Sequence, residues 1–324
     1  MTCLIIGVGN LGSRHLQGLL TFNLEPLTIY IVDPSISSLE VAQTREKEIM
    51  HEHAVTYFSN IKSLPKLLDF VIVATNSNVR QKVITELLYN HEIRFLILEK
   101  VLFPDIIAYQ TIQKELLKTK TICYVNHPRR MIKEYQNLKK ILKNDTKIFF
   151  QAVGSNWGIA CNALHYIDLF EYLADSALLS IDCNTLDSNI FESKRKGYIE
   201  MSGTIKGVLE NGSEFLISSL ISDKSHAPTI CLMNAEKKIL IQESNNSQIN
   251  IYDAKDNFSL TQIKFSFPFQ SKLSGILIEE IVKNGTCSLP TYEEAAHTHK
   301  LFISATLTHY NSVTNIYNTS IPIT

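Results

Sequence analysis

The chain has 324 residues, which at about 150 per domain implies two domains and enough length to bury a sizeable core. Apolar residues make up 45% and charged residues 19%, with 12 Gly and 9 Pro, which excludes disordered, collagen-like and small disulfide-stapled architectures. Lys plus Arg number 31 against 32 Asp plus Glu, a formal charge of -1, so no global field draws the chain to nucleic acid or to an anionic membrane.

In the first third, short β-branched runs alternate with helical patterns, the signature of a parallel sheet with crossover helices. Strands are predicted at 3–8, 28–32, 70–74, 95–99 and 121–125, and helices at 13–22, 78–89 and 105–118. The runs Leu4-Ile5-Ile6, Phe70-Val71-Ile72-Val73-Ala74 and Phe95-Leu96-Ile97-Leu98 are continuously apolar, as strands covered on both faces require.

Past Asn126 the rhythm changes. A helical pattern at 129–142 leads through the polar turn Lys143-Asn144-Asp145 into a strand at 147–153 and a helix at 162–173. From 198 to 267, strand-like runs are separated by turn signals at Asn211-Gly212, Asn245-Asn246-Ser247 and Asp256-Asn257, which predicts an antiparallel meander. Thr291-Tyr292-Glu293-Glu294 has capping-box spacing and opens a final helix towards Tyr310. The expected fold is α/β: a doubly wound parallel sheet over 1–124, then an α+β domain over 125–324 with a mostly antiparallel sheet.

The cysteines Cys3, Cys123, Cys161, Cys183, Cys231 and Cys287 are scattered without CxxC spacing, so they are expected reduced and mostly buried, with no metal site. The first residues carry no basic leader, and no run approaches the roughly 20 apolar residues that span a bilayer. The expectation is a soluble cytoplasmic protein.

Gly7-Val8-Gly9-Asn10-Leu11-Gly12 follows the first strand directly and precedes a helical pattern, the context a dinucleotide-binding turn requires. Gly7 permits the tight turn, Gly9 lets the backbone approach a pyrophosphate, and Gly12 allows close helix packing. The phosphates then meet the free N–H groups and the positive dipole end of the following helix. Asp33 ends the second strand about 20 residues further on, where its carboxylate accepts both adenosine ribose hydroxyls and repels a 2′-phosphate. Without Arg or Lys in Pro34-Ser35-Ile36-Ser37-Ser38, NAD is expected over NADP; a plain turn or cap aspartate is the alternative.

Ala74-Thr75-Asn76 and Glu99-Lys100 end later strands at the edge where an open α/β sheet places its ligand cleft. The small polar group suits either cofactor lining or helix capping. Lys100 there is either a donor to a substrate hydroxyl or a solvated strand-end lysine. His127, Arg129 and Arg130 form a cationic group after Asn126, either a clamp for an anionic substrate group or a solvated helix start. His15 reads as a packing or bridging residue, and His165, from its own context, as a satisfied core or capping histidine.

The chain resembles the Gfo/Idh/MocA family of NAD(P)-dependent oxidoreductases. The resemblance rests on Gly7-Val8-Gly9-Asn10-Leu11-Gly12-Ser13-Arg14-His15, Ala74-Thr75-Asn76, Glu99-Lys100, and Trp157-Gly158 leading to His165 and Asp168. It implies a Rossmann domain followed by a domain with an open, mostly antiparallel sheet, with NAD bound to the first and contacted by Gly7, Gly9, Asn10, Leu11, Gly12, Asp33, Ala74, Thr75, Asn76 and Glu99. Lys100 and His165 would be catalytic, and Asn126, Arg129, Arg130, Trp157, Asn162 and Asp168 would line the substrate. The substrate implied is a sugar, cyclitol or nucleotide-linked sugar, with a role in carbohydrate metabolism and homo-oligomers formed through the C-terminal sheet.

Two departures stand out: Val101 replaces the family's proline after Lys100, and Cys161 stands where an aspartate often precedes His165. Asn162 or Asp168, three residues to either side on an adjacent helix face, could orient His165 instead. Two competing functions follow: a non-catalytic NAD-binding regulator or sensor, and a reductase of a C=N or C=C bond.

Overall fold

The computed structural model describes residues 1–143, 147–244 and 246–324, so Asn144, Asp145 and Asn245 of the expected turns lie outside the described residues. The chain forms two compact units: Met1–Phe103, Ile107–Met131 and Pro268–Ala295 make the first, and Pro104–Ile106, Ile132–Phe267 and Ala296–Thr324 the second.

In the first unit, β1 (Thr2–Ile6), β2 (Thr28–Val32), β3 (Ala54–Phe58), β4 (Leu67–Val73), β5 (Glu92–Leu98) and β6 (Ile122–Val125) form a six-stranded sheet in the order β3-β2-β1-β4-β5-β6. Every pairing is parallel. The order reverses between β1 and β4, the switch point where doubly wound sheets bind ligands. The sheet is covered by α1 (Gly12–Leu19), α2 (Ile36–Glu46), α3 (Ser77–Asn90) and α4 (Ile106–Thr119). The sequence named neither α2 nor β3, because α2 buries only Ala42 and β3 leaves Ala54 and Thr56 exposed.

The segment 268–295, which the sequence reading kept with the C-terminal domain, packs with the first unit. Its helix α7 (Leu273–Asn284) places Leu277, Ile278 and Ile281 in the cluster that holds Ile5, Leu16 and Leu19. Burial of such side chains stabilises by roughly 2 kcal/mol each.

The second unit is built on α5 (Lys133–Leu142), α6 (Ile159–Ala174), most of α8 (Tyr292–Thr314) and a nine-stranded sheet. Its strands are β7 (Phe149–Ser155), β8 (Leu178–Asp182), β9 (Leu186–Glu192), β10 (Ile199–Leu209), β11 (Glu214–Leu220), β12 (His226–Met233), β13 (Lys237–Gln242), β14 (Ser247–Asp253) and β15 (Leu260–Phe265). The order is β15-β14-β13-β12-β7-β11-β10-β8, with β9 on β10. The expected meander is broken at its centre, where β7 lies between β12 and β11 and pairs parallel with β11.

Alternation along these strands separates two faces. Phe150, Phe215 and Leu232 are buried, and Phe170 of α6 stacks on Phe150 at 4.6 Å. Phe149, Leu220 and Met233 belong to the opposite face and are exposed. The capping box forms as expected: Thr291 N–H donates to Glu294 Oε2 at 2.8 Å, and Glu294 N–H to Thr291 Oγ1 at 3.3 Å.

All six cysteines are free. Among the described residues no helix is long and apolar enough to cross a membrane, and no group of three or more His, Cys, Asp or Glu could hold a metal ion.

Candidate functional site

The loop between β1 and α1 has no room for side chains where it touches its neighbours. Gly7 has φ +84°, and a Cβ there would lie 2.8 Å from the Thr75 backbone nitrogen; a Cβ on Gly12 would lie 1.8 Å from the Gly7 carbonyl oxygen. At Gly9 the same construction meets nothing within 4 Å, so that position opens onto space. Leu11 is the N-cap of α1 and offers no side-chain cap, leaving the first-turn N–H groups without that partner.

Asp33 ties this loop to the end of β2. Its Oδ2 accepts from Val8 N–H and its Oδ1 from Ser35 N–H, both at 2.8 Å. Each carboxylate oxygen retains a second lone pair that can accept a ribose hydroxyl. Arg45 of α2, which sequence reasoning missed, braces the loop by donating to the Asn10 carbonyl at 2.7 Å and to Ser13 Oγ.

Ala74 and Thr75 follow β4, and Asn76 is the N-cap of α3 but makes no side-chain capping bond. The Thr75 hydroxyl is buried without a hydrogen-bond partner. An open glycine position, an uncapped helix start, a ribose-side carboxylate and an orphaned hydroxyl at the strand ends fit a dinucleotide.

Arg80 on α3 is a second residue that sequence reasoning missed. It is 1% exposed, and its guanidinium donates to the carbonyls of Thr75, Val101 and Leu102. One buried side chain therefore joins the loop after β4 to the loop that carries Lys100, whose peptide bond to Val101 is cis. Lys100 itself is half-buried. No sequence signal marks these bonds of Arg80, because a backbone carbonyl is a partner that every residue offers.

Beside Lys100, Glu99 is buried and bonded to His15 Nε2 at 2.8 Å and to Asn126 Nδ2. Burial pushes its carboxyl up, but the bonds from His15 and Asn126 and the charge of Lys100 outweigh that and hold it below the usual range. His15 is thus the bridge expected of it. His127 needs a correction: burial, with the positive charges of Arg130, Lys100 and Arg129, pushes its imidazole down to about 3, so it is neutral and adds nothing to a cationic clamp. Arg129 and Arg130 sit in a 3-10 turn, Pro128–Met131, rather than at a helix start, and Arg130 Nη1 lies 4.0 Å from Glu294 Oε1.

In the second unit, Trp157 donates its indole N–H to the Ser218 carbonyl at 2.8 Å and meets Tyr166 edge-on at 5.3 Å. Asn162 closes the start of α6 by donating to the carbonyls of Trp157 at 2.9 Å and Gly158 at 3.1 Å. His165, half-buried, and Asp168, 3% exposed, follow on the same helix.

Glu200 of β10 is a third residue that sequence reasoning missed. Its Oε2 accepts from Ala160 N–H at 3.0 Å, beside Cys161. Burial raises its carboxyl despite hydrogen bonds from the Cys161 thiol and from the N–H groups of Ala160 and Cys161. A carboxylate therefore does stand at the head of α6, supplied by a strand far along the chain.

Residues 1–127 match a protein-family model described as an oxidoreductase family with an NAD-binding Rossmann fold. No curated protein matches the chain in sequence. Among solved structures, an oxidoreductase from Agrobacterium radiobacter in complex with NAD+, L-tartaric acid and magnesium is similar at TM-score 0.71 and 13% identity, over 96% of this chain and 97% of that one. UDP-N-acetylglucosamine 3-dehydrogenase GnnA from Acidithiobacillus ferrooxidans is similar at TM-score 0.69 and 13% identity, over 94% and 96%. The transcriptional regulator Gal80p from Kluyveromyces lactis is similar at TM-score 0.71 and 13% identity, over 96% and 92%. At these identities the likeness is one of fold.

Proposed function

We propose, from the match of residues 1–127 to the NAD-binding Rossmann model of the Gfo/Idh/MocA oxidoreductase family, that the chain is an NAD-dependent dehydrogenase acting on a carbinol carbon of a sugar, cyclitol or nucleotide-linked sugar. The observation that carries this reading is the pairing of Asp33 with the glycine loop. The carboxylate is fixed by Val8 and Ser35 at the tip of β2, and the open Gly9 position lies ahead of the uncapped α1.

When bound, NAD supplies the hydride acceptor or donor. The protein's part is orientation and proton handling. Lys100 would donate a hydrogen bond to the reacting hydroxyl, and His165 would take that hydroxyl's proton or return it in the reverse direction. Glu200 holds the first turn of the helix that carries His165. Arg129 and Arg130 would meet an anionic group such as a carboxylate or diphosphate of the substrate.

Calorimetric titration with NAD+, NADH and NADP+ tests the premise; saturable heat with the first two and weaker binding of the third are expected. Absence of binding by either oxidation state of NAD would overturn the proposal. Against a panel of sugars and nucleotide sugars followed at the nicotinamide absorbance, Lys100→Met and His165→Ala should each cut turnover by about 100-fold or more while leaving NAD affinity near wild type. Unchanged turnover in both variants removes their assigned roles.

The substitution of Cys161 at the head of α6 favours one second reading, a regulator or sensor that binds NAD without turnover. It predicts NAD binding with no absorbance change across the panel. Reduction of a C=N or C=C bond would show as NADH consumption with imine or enone substrates alone. The exposed Phe149, Leu220 and Met233 on one face of the second sheet support self-association there, which sedimentation would register as a dimer or tetramer.

A further inference from the structure

We propose that Asn126 is a locked hydrogen-bond acceptor for the carboxamide N–H of the nicotinamide ring, and that Glu99, His15 and Gln270 are the positioning residues that lock it. The inference rests on the NAD-binding reading above and extends it from the adenosine end of the cleft to the redox end.

The lock follows from hydrogen-bond polarity. His15 Nε2 faces Glu99 Oε1 at 2.8 Å, and a carboxylate only accepts, so that nitrogen carries the proton. The other ring nitrogen, Nδ1, faces Ser274 Oγ at 2.8 Å and Gln270 Nε2 at 3.3 Å. Gln270 Nε2 lies 3.3 Å from Ser274 Oγ as well, which turns the glutamine's Oε1 towards Asn126. Asn126 Nδ2 then donates to two oxygens, Glu99 Oε1 and, at 3.0 Å, Gln270 Oε1.

Flipping the amide would set its oxygen against both of those acceptors, so only one orientation is allowed. In that orientation Asn126 Oδ1 is the free end. It is buried without a hydrogen-bond partner, on a side chain only 3% exposed. An acceptor in that state is destabilising until a donor reaches it.

Position selects the donor. Asn126 directly follows β6, and Asp33 directly follows β2, on the other side of the switch point between β1 and β4. A dinucleotide whose adenosine is held at Asp33 would cross that point and bring its second nucleoside towards the ends of β4, β5 and β6. Charge selects as well: the Glu99 carboxylate directly behind Asn126 disfavours an anionic partner and favours a neutral N–H. The carboxamide of nicotinamide provides that group.

The test compares NAD+ with 3-acetylpyridine adenine dinucleotide, in which a methyl ketone without N–H replaces the carboxamide, by calorimetric titration of the full chain. The wild type should bind NAD+ about tenfold more tightly than the analogue, the worth of one hydrogen bond. Asn126→Leu should lower NAD+ affinity to that of the analogue and leave analogue affinity unchanged. Glu99→Gln, which lets the Asn126 amide turn over, should shrink the preference to threefold or less.

Equal binding of the two dinucleotides by the wild type overturns the inference and needs no variant to fold. So does full retention of the preference in Asn126→Leu or in Glu99→Gln. A wild type that binds neither dinucleotide overturns the NAD reading itself, a separate and recognisable failure.

Discussion

The two units hold their candidate residues by different means. In the first, Gly7 to Gly12, Asp33, Thr75, Lys100 and Asn126 all follow the carboxyl ends of parallel strands, so sheet topology alone gathers residues distant in sequence onto one edge. In the second, Trp157, Asn162, His165 and Asp168 are close in sequence, just before α6 and along its first ten residues, and a further partner of that helix, Glu200, comes from β10 through the pairings of a mixed sheet. A parallel sheet makes a site predictable from strand order. A mixed sheet makes it depend on which strand lands where, as the insertion of β7 between β11 and β12 shows.

If topology is what holds the first cleft together, its backbone contacts should be its most fragile part. The largest effect is expected for Gly12→Ala. The added methyl would meet the Gly7 carbonyl oxygen at 1.8 Å, and because the neighbour is backbone, α1 must move away from the loop. A loss above about 4 kcal/mol in denaturant unfolding, with NAD binding abolished, is expected. A variant of near-native stability would show that the loop yields.

Arg80→Met comes next. It strips the donors from the buried carbonyls of Thr75, Val101 and Leu102 while keeping an apolar stem, and should cost about 3 kcal/mol. Lys100 presentation should suffer with it. A near-neutral result would mean that the loops after β4 and β5 hold their positions without the guanidinium.

The contrast also explains what could be read in advance. Strands β1, β4 and β5 are apolar because both their faces are covered, and the glycine spacing before α1 is a steric requirement of the turn, so both are written in the sequence. The α2–β3 pair was illegible because one buried residue, Ala42, sets no helical period, and an edge strand sets no apolar run. Asp33 and Lys100 could be singled out because each stands at the end of a predicted strand, whereas Asn126 was singled out only through the family resemblance.

Arg80 and Arg45 were not, since they act on carbonyls, which every residue possesses. Glu99 was legible as a cleft residue, but its partners were not: Gln270 and Ser274 come from a segment that the sequence reading kept with the other domain. A buried polar network is the hardest feature to foresee, because its members share no period and no spacing.

The smallest expected effect probes the same difference at Glu200, where a long-range partner does what a local residue does elsewhere. Its carboxyl is raised mainly by burial, so the folded state holds the proton more tightly than the unfolded chain. The sign follows: this group's contribution to stability is fully present below the ordinary carboxyl value of 4.5 and is lost as pH rises through the raised folded value. Glu200→Gln keeps an oxygen to accept from Ala160 N–H but has no proton to lose. The variant should therefore gain on the wild type as pH increases, by about 2 °C in Tm between pH 4 and pH 7. All other titrating groups are common to the two proteins and cancel in the difference. Parallel Tm curves across that range would mean that Glu200 gives up its proton as readily in the folded state as in the unfolded chain, and that burial at the head of α6 does not disfavour its charge.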